Sequence, residues 1–157
     1  MLAREEKLAD ILDEVMPLVR EHWDESHGYR TAPFNPNWRG MLFFEERGLF
    51  KVVVLRTNSG ELAGYLSFFL TVSSQTSEAC ANLDVIFVRR GYRTGRGAVA
   101  LLTAAHTLFH SLGLTSVYSS NPLTASPALN KLMTKFGYAP VSTVYHKNLC
   151  PTEGPGG

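Results

Sequence analysis

Residues 80–120 constrain this chain most. "CANLDVIFVRR" (80–90) is strand-like, and "GYRTGRG" (91–97) is rich in glycine and arginine. The apolar run that follows reads as a long helix over about 95–112, closed by Gly113. "TSVYSS" (115–120) is strand-like again. A strand, a helix and a second strand in that order return to one sheet by a right-handed parallel crossover.

The flanking segments supply the other layers. Leu8, Ile11, Leu12, Val15, Val19 and Trp23 recur at helical spacing, which predicts an amphipathic helix over 4–23 that Pro17 should kink or divide. After the loop "SHGYRTAPFNP", residues 37–47 predict a short helix ending at Gly48. Two strand-like runs within 50–72 flank Asn58-Ser59-Gly60, a hairpin signal. Ser126-Pro127 opens a helix that runs to Gly137, and "STVYHKNL" (142–149) predicts a last strand. The sum is one α/β (α+β) domain over 1–150, followed by a flexible tail at 151–157. Its sheet is mixed and mostly antiparallel, with helices on both faces, in the order α-α-β-β-β-α-β-α-β.

Composition narrows the function classes. The chain has 157 residues, a formal net charge of +1 and 45% apolar residues, so it can bury a core and has no global attraction for nucleic acid. A nucleic-acid role through Arg89, Arg90, Arg93 and Arg96 therefore carries little weight. No apolar run is long enough to span a membrane, and the charged opening "MLAREEKLAD" is not a secretory signal. Cys80 and Cys150 are far apart and read as reduced thiols, which points to the cytoplasm. His106 and His110 are spaced i, i+4 but lack the further ligands of a zinc site, so no metal is expected.

The loop before the long helix carries the chemistry. The first N–H groups of a helix lack partners, and the helix dipole favours an anion there. Glycines let a backbone approach a ligand closely. The same residues fit a plain helix start with solvated arginines. Neither GxxxxGK[ST] nor the strand order of a dinucleotide-binding unit is present.

"VIFVRRGYRTGRGAVALL", following a meander, resembles the acetyl-coenzyme-A-binding segment of the GNAT superfamily of N-acetyltransferases. "NPLTASPALNKLMTKFGY" resembles the same family's Asn…Ala-x-x-Leu…Gly-Phe/Tyr helix, so the resemblance spans nearly the whole chain. "EHWDE", the Asp of the third strand and "FGY" look like small bacteriophage-encoded members, which would place the protein in a host cytoplasm. The resemblance implies acetyl-CoA as cosubstrate and an amine of a small molecule, peptide or protein as acceptor. It implies cofactor contacts from Phe87, Val88, Arg93, Thr94, Gly95, Arg96, Gly97, Ala98 and Asn121. The register with Arg93 in the family's Arg/Gln position keeps both flanks and puts Arg96 where the family has glycine. A register slid by one matches Gly95 and Gly97 instead. Asn121 also fits a turn before proline.

Acetyl transfer to an amine needs a base and a donor for the leaving thiolate. Asp84 interrupts an apolar strand and is the only carboxylate between residues 79 and 151, so it is the candidate base, or else a structural Asp bonded to backbone. Met133 stands where many family members have a tyrosine, leaving Tyr145 and Tyr118 as candidates for the acid. The acceptor should lie under the first two helices, where Trp23, Tyr29, Phe34 and Trp38 cluster with Asp24 and Glu25, although these residues also fit a loop packed on the core. The rival reading is a catalytically silent binding or assembly protein on the same fold. Self-association as a homodimer stays open.

Overall fold

A computed structural model of the chain describes residues 1–121 and 126–150; the expected tail at 151–157 lies outside them. The elements are β1 (Leu2–Glu6), α1 (Leu8–Ser26), α2 (Trp38–Glu46), β2 (Phe50–Arg56), β3 (Leu62–Val72), β4 (Ala79–Val88), α3 (Arg96–Ser111), β5 (Ser116–Ser119) and α4 (Pro127–Lys135). The five strands lie in chain order. β1 to β4 are antiparallel neighbours, and β5 pairs parallel to β4. The meander and the crossover are therefore both present.

The helices cover both faces. Leu8, Ile11, Val15 and Leu18 of α1 pack with Phe50, Val52, Val54, Tyr65 and Phe87 on one face. Leu101, Leu102, Ala105 and Phe109 of α3, with Met133 of α4, pack with Val53, Leu55, Leu66 and Phe68 on the other. β2 is buried on both sides, which is why its sequence is a continuous apolar run and not an alternation. Pro17 lies on the exposed side of α1 and does not end it, since water can satisfy the carbonyl it leaves free.

Two expectations fail at the ends. Residues 2–6 form an edge strand and not the start of the first helix. Arg, Glu and Lys are good helix formers, so local propensity favoured the helix. The free edge of β2 and its ion pairs decide otherwise: Lys51 holds Glu5 at 2.7 Å and Arg56 holds Glu6 at 2.8 Å. At the other end, residues 142–149 form no strand. Their alternating pattern needs a neighbouring edge to pair with, and Val141, Val144 and Leu149 stay 76%, 71% and 84% exposed. The segment instead lies against the loop after α1, with the His146 and Tyr29 rings 4.5 Å apart.

Candidate functional site

β4 outlasts its parallel partner. Pairing with β5 stops at Leu83↔Ser119, while β4 continues to Val88. The strands diverge there and leave a cleft of about 290 Å³. Leu83 to Ile86 form one wall, Ser119, Ser120 and Asn121 the other, and His22, Glu25 and Arg93 lie across them. A second cleft of about 380 Å³ opens between the sheet and α1, α2 and the loop joining them. Its walls include Trp23, Phe34, Trp38 and Met41. The two share His22, Ser26, Asp84 and Val85.

Asp84 reaches this junction through a β-bulge. Ser67 pairs with Val85 and Phe68 with Leu83, so Asp84 is the extra residue. Before the bulge, Ala81 and Leu83 pack toward α3; after it, Ile86 and Val88 do. An extra residue switches the parity of a strand and aims one side chain away from the regular pleat. The carboxyl opens into the clefts and accepts a 3.4 Å hydrogen bond from Ser67 Oγ. Protein crowding on its other sides raises its pKa, an effect partly countered by the Ser67 bond and the positive charge of Arg30.

His22 and Tyr65 complete the polar lining. Tyr65 Oη and His22 Nδ1 are 3.3 Å apart. Burial lowers the pKa of His22, helped by the charge of Arg30, so the imidazole is neutral near pH 7. Burial and the Asp84 charge push the Tyr65 phenol far above its ordinary value. Neither residue stood out in the sequence: each sits in an apolar pattern that reads as core, and only the fold brings them to one cleft.

The loop before α3 divides its labour. Gly95 caps the helix with φ +84°, a conformation that side chains rarely adopt. A Cβ at Gly97 would lie 2.8 Å from Leu55 Cδ2, so this glycine lets α3 seat on β2. Glycine is thus favoured at 95 by the backbone and at 97 by packing. Arg96 is exposed at the helix start and Thr94 is exposed beside it, while Ala98 turns toward the core. No side chain caps the first turn of α3. Arg93 is engaged: its Nε donates to the Val88 carbonyl at 2.7 Å and its Nη2 holds Glu25 at 2.6 Å. Phe87 and Val88 are buried at the end of β4. Asn121 lines the β4–β5 cleft and donates from Nδ2 to Asn130 of α4 at 2.9 Å, tying the end of β5 to that helix.

Tyr145 is not brought to either cleft. It is 90% exposed on the unpaired segment and lines neither cleft, because the strand that would have carried it inward is not formed. Tyr118 is on β5, half exposed. Met133 is buried in the core beneath α3. His106 bonds the Tyr138 hydroxyl at 2.9 Å and packs on Phe109 and Phe136, a core role. Among the described residues no group of three or more side chains could hold a metal, and no helix is long and apolar enough to cross a membrane.

These features define a class: a mixed α/β domain with a ligand-sized slot where two parallel strands part. No protein-family model and no curated protein matches the sequence. Solved structures do match. A ribosomal-protein-alanine N-acetyltransferase from Brucella melitensis biovar Abortus 2308 is 16% identical, with TM-score 0.72 over 95% of this chain and 100% of its own. An aminoglycoside acetyltransferase from an uncultured soil metagenomic sample is 13% identical, with TM-score 0.75 over 95% of each chain. A Trypanosoma brucei acetyltransferase is 16% identical, with TM-score 0.64 over 94% and 98%. The chain has the fold of the GNAT acetyltransferases.

Proposed function

We infer that the protein is an acetyl-CoA-dependent N-acetyltransferase. One observation carries this reading: Asp84, aimed by a bulge, stands where the β4–β5 slot meets the cleft under α1 and α2. A donor and an acceptor entering from the two sides would meet at a carboxylate.

The slot suits the donor. Beyond Leu83, β4 has no partner on its β5 side among the described residues, and the uncapped first turn of α3 and exposed Arg96 favour a phosphate. Thr94 and Gly95 precede that turn, and Arg93, just before them, lines the slot together with Asn121. When bound there, the cosubstrate supplies an activated thioester. The protein's own task is to hold an amine in line with it and remove a proton. Asp84 accepts the proton from the amine nitrogen as its bond to the acetyl carbon forms. Its raised pKa brings it nearer to the amine's range, which helps the transfer. Neutral His22, bonded to Tyr65, holds the polar end of the same opening.

The test is thermal unfolding of the full chain with acetyl-CoA and with coenzyme A, followed by thiol release over a panel of amines. A ligand at a hundred times its dissociation constant stabilises by about 2.7 kcal/mol, a shift of several degrees at this size. Shift and turnover together support the enzyme. A shift without turnover on any amine supports a silent binding protein on this fold. No shift at millimolar coenzyme sinks the reading.

A further inference from the structure

The cleft under α1 and α2 holds two opposite charges that, among the described residues, make no salt bridge. The neighbouring carboxylates are engaged: Asp24 with Arg20, Glu25 with Arg93, and Glu21 with Arg89. Arg30 lines this cleft and, among the described residues, makes no ion pair. Its guanidinium lies over the Tyr29 ring, 5.1 Å from the centroid. Asp84, in the same cleft, is bonded among the described residues only to the Ser67 hydroxyl. Between them the wall is apolar and aromatic, built from Trp23, Phe34, Trp38 and Met41.

We propose that this cleft takes a small zwitterionic amine: a free amino acid, or a close analogue, with an aromatic or bulky apolar side chain. This rests on the acetyl-transfer reading for its reaction but not for its binding. The carboxylate pairs with Arg30, whose planar fork matches it. The ammonium group points to Asp84, and the side chain lies on the aromatic wall. The ammonium gives one proton to solvent, and the amine nitrogen attacks the thioester carbon as Asp84 accepts its second proton. The C–N bond forms, the C–S bond breaks, and the departing sulfur takes up a proton from solvent. The volume agrees, since about 380 Å³ is near the lower end of the roughly 300–1,000 Å³ range of small-molecule pockets. A polycationic acceptor fits poorly, because it would meet one carboxylate and be repelled by Arg30.

Calorimetry on the full chain, with and without acetyl-CoA, tests this with L-phenylalanine, L-phenylalaninamide and spermidine. Phenylalanine should bind about tenfold more tightly than its amide, the low end for a charge-assisted hydrogen bond at an open site. Arg30→Gln should bring that ratio to about one and Arg30→Lys should restore part of it, with the unfolding midpoint as a check on folding. Equal binding of acid and amide, a preference for spermidine, or a ratio unmoved by Arg30→Gln overturns the proposal. If phenylalanine binds with the Arg30-dependent ratio but acetyl-CoA causes no thermal shift, the zwitterion site stands and the acetyl-transfer reading falls.

Discussion

Gly97→Ala separates a glycine needed for packing from a glycine needed for a ligand. The new methyl would lie 2.8 Å from Leu55 Cδ2 and 3.4 Å from Val88 Cγ1. Leu55 is fully buried, so it has no solvent to move into. Overpacking of this kind costs about 1–3 kcal/mol, and replacing a helical glycine by alanine offsets roughly 0.5–1 kcal/mol of that. The net expectation is a loss of about 1 kcal/mol, or roughly 2–4 °C in the unfolding midpoint at this chain length. Leu55→Val removes the clashing methyl's reach and alone should cost about 0.5–1.5 kcal/mol. The double variant should be more stable than the two separate losses imply, by about 0.5 kcal/mol or more. Urea unfolding of the four proteins measures this, and the coenzyme-induced shift is read on each. If the losses simply add, Gly97 is not explained by Leu55. If Gly97→Ala keeps full stability but loses the coenzyme response, the glycine serves the ligand and the packing argument is wrong.

Asp84→Asn should lower turnover by about 10²–10⁴-fold with coenzyme affinity kept, as expected for loss of a general base. The same change should raise the midpoint at pH 7. A carboxyl whose pKa is raised by folding stabilises below its unfolded value and loses that stability as pH rises through its folded value, so the gain should vanish below about pH 3.8. Glu6→Gln should destabilise by about 1.5–3 kcal/mol at pH 7, the range for hydrogen bonds to charged groups. Arg56 holds Glu6 down to about 2, so this difference should shrink as pH falls from 4.5 toward 2 in acid-unfolding curves. Tyr145→Phe should leave kcat and KM unchanged in steady-state assays, because the hydroxyl stands away from both clefts.

Much of the architecture was legible because it is written locally. The β4–loop–α3 unit shows in its change of period, and the hairpin shows at Gly60, which does adopt φ +90°. Asp84 showed as a lone carboxylate in an apolar strand. The ends depart from their local pattern for one reason: strand formation depends on a partner. The Arg-Glu-Glu-Lys opening favours helix until β2 offers an edge, and 142–149 favours strand but finds none. The separate demands on Gly95 and Gly97 are invisible in the sequence, because φ and close contacts exist only in the folded chain.

By itself, the sequence determined which segments are helix and strand in the body of the chain and which faces are apolar, since burial patterns repeat within a few residues. Only the tertiary structure decided where Asp84 points, because a bulge is a relation between two strands. It also decided which charges are spent and which remain free. Arg93 meets Glu25 and Arg89 meets Glu21 across 68 residues in each case, while Arg30 is left facing a cleft. Ion pairing at such separations follows from how the chain packs, and no local pattern encodes it.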